Sequence, residues 1–175
     1  MRITILNGSP RPGGNTEIMA HAFEKGALEA GHEVTLINLA GKKVAGCLGC
    51  QYCFAHDGEC VQKDDMADIL KVIDQTDLLV FASPIYWFDI TAQLKSVIDR
   101  MYARAKIGFH LRKTALLLDS ASEGVYNAAL AQYKAMCVYL RWESVGELCI
   151  PGMTEKGSMK SAALLEKAYE LGKAL

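Results

Sequence analysis

Six cysteines occur in this chain of 175 residues, and Cys47, Cys50, Cys53 and Cys60 fall within fourteen positions as C-x2-C-x2-C-x6-C. Thiolates so dense in a short loop are soft ligands, suited to iron-sulfur clusters or zinc. The first three cysteines are spaced as in a bacterial ferredoxin run, but six residues instead of three precede the fourth, which is followed by Val61, not proline. Three readings stay open from the residues: a 4Fe-4S site, a structural zinc site, and reduced thiols or a redox-active pair. Zinc is the less favoured metal, because two C-x2-C steps sharing a cysteine are tighter than paired knuckles. His56 within the loop reads as a solvated residue, and Cys137 and Cys149, in helix and strand patterns, as buried thiols.

A second constellation lies at the other end of the chain. Gly8-Ser9-Pro10-Arg11-Pro12-Gly13-Gly14-Asn15-Thr16 follows the apolar run Ile3 to Leu6 and precedes an amphipathic segment. Glycines, hydroxyls and one arginine at a helix start aim N–H groups and the positive end of the helix at one point, where an anion is stabilised. The nucleotide-triphosphate loop G-x-x-x-x-G-K-[ST] is excluded, because Gly14 and Asn15 stand where lysine and the hydroxyl belong. The dinucleotide fingerprint G-x-G-x-x-G fails on spacing. What remains suits a phosphate monoester, with Asn15 as a helix N-cap the plainer alternative.

These loops need a scaffold, and the rest of the chain supplies one. Apolar strands are expected at Ile3 to Leu6, Val34 to Leu39, Leu78 to Ala82, Thr114 to Leu118 and Ser144 to Ile150. Helices are expected at Thr16 to Glu29 (ended by Gly31), from Asp64 or Asp65 to Asp74, Thr91 to Arg104, Tyr126 to Trp142 and Ser158 to Lys173. Residues 41–61 read as one long cysteine-bearing loop. Alternating strands and helices predict a single α/β domain over 1–175, a five-stranded parallel sheet with helices on both faces. Ligands of such sheets sit beyond the carboxyl ends of the strands. There the aromatic run Ser83-Pro84-Ile85-Tyr86-Trp87-Phe88 and the small polar loop Asp119 to Val125, with Ser120, should meet the phosphate loop.

Composition narrows the partners. Nineteen basic and twenty acidic residues give a net charge of −1, which favours neither nucleic acid nor an anionic membrane. No apolar run suits a secretory signal or a membrane helix, so the expected compartment is the cytoplasm, with reduced cysteines. The basic stretch Arg100, Arg104, Lys106, His110, Arg112 and Lys113 reads as a solvated helix end, with the phosphate of NADPH or an electron-donor protein as the sharper alternative. No Ser-His-Asp order, paired-carboxylate signature or H-E-x-x-H supports a hydrolase.

Gly8-Ser9-Pro10-Arg11 with Gly14-Asn15-Thr16, Ser83-Pro84-Ile85-Tyr86-Trp87, and Leu94-Lys95-Ser96-Val97-Ile98-Asp99-Arg100 together resemble the flavodoxin-like flavoproteins, in the branch of NAD(P)H-dependent FMN reductases and iron-sulfur flavoproteins. The resemblance covers nearly the whole chain. It implies a flavodoxin-like three-layer sandwich that binds FMN and draws electrons from NAD(P)H or a redox carrier. It also implies that Ser9, Arg11, Asn15 and Thr16 hold the FMN phosphate, that Pro84, Ile85, Tyr86 and Trp87 line the isoalloxazine ring, and that the chain forms a homodimer or homotetramer. Cys47, Cys50, Cys53 and Cys60 look like the compact motif whose thiolates hold a 4Fe-4S cluster, although similar loops occur in relatives without one. A non-enzymatic electron carrier and a cluster-free quinone or FMN reductase are the alternatives that follow.

Overall fold

A computed structural model describes all 175 residues. Five parallel strands, β1 (Arg2–Asn7), β2 (Glu33–Asn38), β3 (Leu78–Pro84), β4 (Lys113–Asp119) and β5 (Glu143–Ile150), pair in the order β2-β1-β3-β4-β5. The helices are α1 (Asn15–Glu29), α2 (Tyr52–Ala55), α3 (Met66–Ile73), α4 (Ala92–Arg100), α5 (Asn127–Leu140) and α6 (Leu165–Lys173). The three-layer expectation holds.

Side-chain alternation along the strands fills two cores. Ile3, Ile5, Leu78, Val80, Ala115 and Leu117 face α1 and α6, whereas Leu79, Phe81, Leu116 and Leu118 face α3, α4 and α5. Leu78 to Pro84 is buried throughout, which explains its continuous apolar run: a central parallel strand is covered on both faces. On the first face, α1 and α6 cross at glycines. A Cβ on Gly26 would strike the Tyr169 carbonyl, and one on Gly172 the Phe23 carbonyl, so the two backbones approach as only glycine allows.

Three helices differ from expectation. The closing segment is not one helix: a 3-10 turn at Ser158–Ser161 is followed by extended Ala162 and then α6. Fully buried Met159 and the Asn15 side chain, which accepts from the Gly157 and Met159 N–H groups, pin the turn to α1 before the chain can lie along it. The Thr91 helix stops at Arg100 and tightens into a 3-10 turn over Met101–Arg104, with the Thr91 hydroxyl capping its start. The helix of the fourth crossover ends at Leu140, where Arg141 turns left-handed and Trp142 enters the core. The cysteine loop also contains the single helical turn α2.

The strand order reverses at β1 and β3. β2 lies on one side of β1 and β3 on the other, so the loops after β1 and β3 part there and leave a crevice at the carboxyl edge.

Candidate functional site

The loop after β1 is held from below. Asn7 Oδ1 accepts from the Ser9 N–H at 3.1 Å, and Ser9 Oγ accepts from the Arg11 N–H at 3.2 Å. The Thr91 hydroxyl donates to the Gly8 carbonyl at 2.7 Å, tying the loop to the start of α4. Gly13 takes a positive φ of 64°, and Glu17 accepts from its N–H. This shape brings Ser9, Arg11, Gly14, Asn15 and Thr16 to a cleft of about 160 Å³, beside the first-turn N–H groups of α1, which have no intrahelical acceptor.

The other walls come from three more strand ends. Pro84 ends β3 and Ile85 and Tyr86 follow it, Asp119 ends β4 and Ser120 and Ala121 follow it, and Met153, Thr154 and Lys156 follow β5. Ser120 Oγ lies 2.6 Å from both the Ser122 carbonyl and the Tyr126 hydroxyl. Eight of the nine expected cofactor residues thus border one cleft: Ser9, Arg11, Asn15, Thr16, Pro84, Ile85, Tyr86 and Ser120. Trp87 does not; it stands outside, 93% exposed.

Asn15 serves differently from the N-cap alternative. Gly14 is the N-cap, and the Asn15 amide donates to the Glu155 carbonyl at 2.8 Å while its oxygen accepts from Gly157 and Met159. Its side chain therefore moors the loop after β5, and that mooring brings Lys156 to within about 4 Å of where a Gly13 Cβ would stand. Two cations, Arg11 and Lys156, flank the cleft.

Tyr86 to Asp89 forms a tight two-residue turn. Tyr86 N–H donates to the Asp89 carbonyl at 2.8 Å and Asp89 N–H to the Tyr86 carbonyl at 3.2 Å. Trp87 and Phe88 at its tip take φ of 51° and 70°. Positive φ at both central residues defines a type I′ turn, where glycine, asparagine and aspartate dominate. Two bulky aromatic side chains there are out of place for the backbone and place an apolar pair in solvent beside the cleft.

The cysteine loop is held by the basic stretch expected to be solvated. Arg100 donates from Nη1 to the Ala45 carbonyl at 3.0 Å, Arg104 from Nη1 to the Gly58 carbonyl at 2.7 Å, and Lys106 from Nζ to the Phe54 carbonyl at 2.7 Å. Arg100 also grips Asp64 with both terminal nitrogens, at 2.7 and 2.9 Å, and Arg104 grips Asp74. These are structural fasteners of the loop.

Cys47, Cys50, Cys53 and Cys60 line one small pocket together with Arg100 and Tyr102. Burial pushes the Cys53 thiol above its ordinary range, and the neighbouring thiols of Cys60, Cys47 and Cys50 push the same way. Arg100 is 2% exposed, and its Nε is buried without a hydrogen-bond partner. No three His, Cys, Asp or Glu side chains converge tightly enough for a single metal ion. His56 stacks on Tyr52 with ring centroids 3.6 Å apart, its Nδ1 2.8 Å from the Tyr52 carbonyl.

Residues 1–151 match the family described as NADPH-dependent FMN reductase. The chain belongs to that family. It is similar to an iron-sulfur flavoprotein of Archaeoglobus fulgidus, 41% identical over 101 residues that cover 58% of this chain and 46% of the relative. An iron-sulfur flavoprotein of Methanocaldococcus jannaschii is 38% identical over 112 residues, covering 64% of this chain and 57% of the relative. The matched stretch thus spans about half the length of these curated relatives. Among solved structures, the NAD(P)H:quinone oxidoreductase from Methanothermobacter marburgensis superposes with a TM-score of 0.78 at 21% identity, covering 99% of this chain and 94% of the other. That likeness is one of fold.

For an FMN reductase-family chain, the residues sequence reasoning left out are Lys156 and Asp119. Lys156 sits between the last expected strand and the last expected helix with nothing local to mark it, yet the loop after β5 opens on the same edge as the other three. Asp119 lay in view as the first residue of a small polar loop, with nothing local to mark its carboxyl as buried.

Proposed function

We propose that the chain is a single-domain FMN-dependent oxidoreductase that passes electrons from NAD(P)H or a redox carrier to an acceptor. The observation that carries this is the convergence of four strand-end loops on one cleft, with Ser9, Arg11, Lys156 and the N-terminus of α1 around it. That donor set fits a phosphate monoester: two cations, side-chain hydroxyls and backbone N–H groups supply charge-assisted bonds to its oxygens. At about 160 Å³ the cleft is smaller than the roughly 300 to 1,000 Å³ of a typical ligand pocket. It therefore suits the phosphate and polyol end, leaving the flat ring to the open edge at Pro84, Ile85 and Tyr86, with Trp87 beyond.

Bound FMN supplies hydride and single-electron acceptance, and the protein supplies placement and electrostatics. Arg11 and Lys156 would neutralise the phosphate, Pro84 and Ile85 would supply an apolar edge against the ring, and the Tyr86 phenol would offer a hydroxyl beside it.

The cysteine loop supports a 4Fe-4S cluster held by Cys47, Cys50, Cys53 and Cys60. What supports this reading is that the four thiols border one pocket with the Arg100 guanidinium, a cation placed to offset thiolate charge. A homodimer or homotetramer is also proposed, because Ile98, Met101, Tyr102, Phe109, Tyr139 and Trp142 line an apolar groove of about 430 Å³ between α4 and α5, and exposed apolar surface of this kind marks interfaces.

Purification without oxygen tests the reading. The protein is expected to show flavin absorbance or to take up added FMN, to oxidise NAD(P)H steadily with an acceptor present, and to contain iron and sulfide. Protein that binds no FMN refutes the cleft assignment; protein that turns over without iron refutes the cluster alone.

A further inference from the structure

Asp119 carries the wrong charge for its place. Its carboxyl ends β4 at the wall of a cleft otherwise furnished with cations and donors, and it is 4% exposed. Its one side-chain hydrogen bond is from the Thr16 hydroxyl, at 2.5 Å. Thr16 itself is buried and borders the same cleft. The titratable and charged groups that border the cleft with it are Arg11 after β1, Tyr86 after β3 and Lys156 beyond β5, and Tyr126 after β4 lies close enough to feel its charge. None forms an ion pair or hydrogen bond with the carboxyl. Burial pushes it up to about 6, with the Thr16 bond pulling the other way.

A hydroxyl has one hydrogen to donate. While Asp119 is ionised, the Thr16 hydrogen is committed to the carboxylate, so the threonine offers the cleft lone pairs alone. An incoming phosphate then meets a buried negative charge and a hydroxyl with nothing to give. Once Asp119 takes a proton, its own O–H donates to Thr16 Oγ1, and the threonine hydrogen is released toward the cleft. We propose that Asp119 and Thr16 form a two-state donor switch in the phosphate cradle, so that binding of a phosphate monoester takes up one proton at Asp119. The proton comes from solvent, one O–H bond forms at the carboxyl, and no other covalent bond changes. Asp119 is thus a positioning residue acting through Thr16. The inference rests on the cleft being the FMN phosphate site.

The test compares FMN and riboflavin binding to flavin-free protein by fluorescence quenching from pH 5.5 to 8, in wild type, Asp119→Asn and Asp119→Ala. Asparagine carries no charge and brings an amide N–H that can donate to Thr16 at every pH, so it mimics the protonated acid. Each pH unit above 6 is worth a factor of about ten. Asp119→Asn should therefore bind FMN about tenfold tighter than wild type at pH 7 and up to ~100-fold tighter at pH 8, with the two converging at pH 5.5. The phosphate's own second ionisation, near 6, acts in both proteins and leaves their ratio unchanged. Riboflavin, lacking the phosphate, should show a flat ratio, and Asp119→Ala, without the donor, should bind FMN more weakly than Asp119→Asn.

Should the variants not fold, calorimetry of FMN binding to wild type in buffers of different ionisation enthalpy decides alone. Uptake approaching one proton at pH 7.5 supports the switch, and zero or net release overturns it. A wild-type to Asp119→Asn ratio that stays constant with pH, or that moves equally for riboflavin, also overturns it. Wild type that binds neither flavin at any pH refutes the cleft reading itself, and the switch with it.

Discussion

Replacing Arg100 with methionine should unfasten the cysteine loop and destabilise the whole protein. The side chain is buried, paired to Asp64 through both terminal nitrogens, and bonded to the Ala45 carbonyl. Removing one partner of a buried pair costs about 3 to 5 kcal/mol, because the other charge stays behind. The Asp64 side chain keeps 15% of its surface in water, which places the loss at the lower end, about 3 kcal/mol. The Ala45 bond adds about 1 kcal/mol, while methionine refills the space of the arginine stem. The total of about 4 kcal/mol corresponds to a fall in Tm of roughly 8 to 16 °C for a chain of this size. Urea unfolding at pH 7 measures it, and the double variant with Asp64→Asn should lose less than the sum of the singles.

The pH dependence fixes the sign. Burial would raise the Asp64 carboxyl, but its bonds to Arg100 and to the Ala45 and Met66 N–H groups outweigh that and hold it below its ordinary range. A depressed carboxyl contributes stability that is present above its unfolded pKa and lost as pH falls through the folded one. The gap between wild type and Arg100→Met should therefore narrow below about pH 4. A loss under about 1 kcal/mol, or strict additivity with Asp64→Asn, would refute the fastening role.

Arg11→Ala should weaken FMN binding by about 1.5 to 3 kcal/mol, roughly 10- to 150-fold, and fluorescence titration that finds unchanged affinity removes Arg11 from the phosphate site. Lys156→Ala should weaken it less, and the loss should shrink at high salt, since an exposed ammonium acts as a screened point charge. Gly26→Ala should destabilise by about 1 to 3 kcal/mol although alanine is the better helix former, because its Cβ meets the Tyr169 carbonyl and the Lys173 N–H. Thermal melts showing a more stable Gly26→Ala protein would mean that α1 and α6 are not locked at that crossing.

What the sequence made legible was set by local pattern. Leu78 to Ala82 was legible as a buried strand, since a continuous apolar run needs cover on both faces, and Gly8 to Thr16 as a loop that leads from a strand into a helix start. The break before α6 was invisible, because it depends on Asn15 reaching 142 residues along the chain to Gly157. Arg100, Arg104 and Lys106 read as a charged helix end because nothing in their own spacing reveals three loop carbonyls waiting opposite. Asp119 went unweighed for the same reason: whether a carboxyl at a strand end is solvated or buried is decided by the neighbouring strands. Trp87 differs again: it directly follows the residues that border the cleft, yet it stands at an exposed turn outside it, an outward turn set by the backbone and not by its neighbours in sequence.

That outward turn also bears on how far the chain can be improved. A type I′ tip built from tryptophan and phenylalanine holds two bulky residues in a conformation that costs on the order of 1 to 3 kcal/mol each. A fold shaped for stability alone would place glycine, asparagine or aspartate at such a tip. Glycine at both positions would relieve that cost and remove the two exposed rings together, so the local stability of the turn and the apolar surface beside the cleft are set by the same two residues.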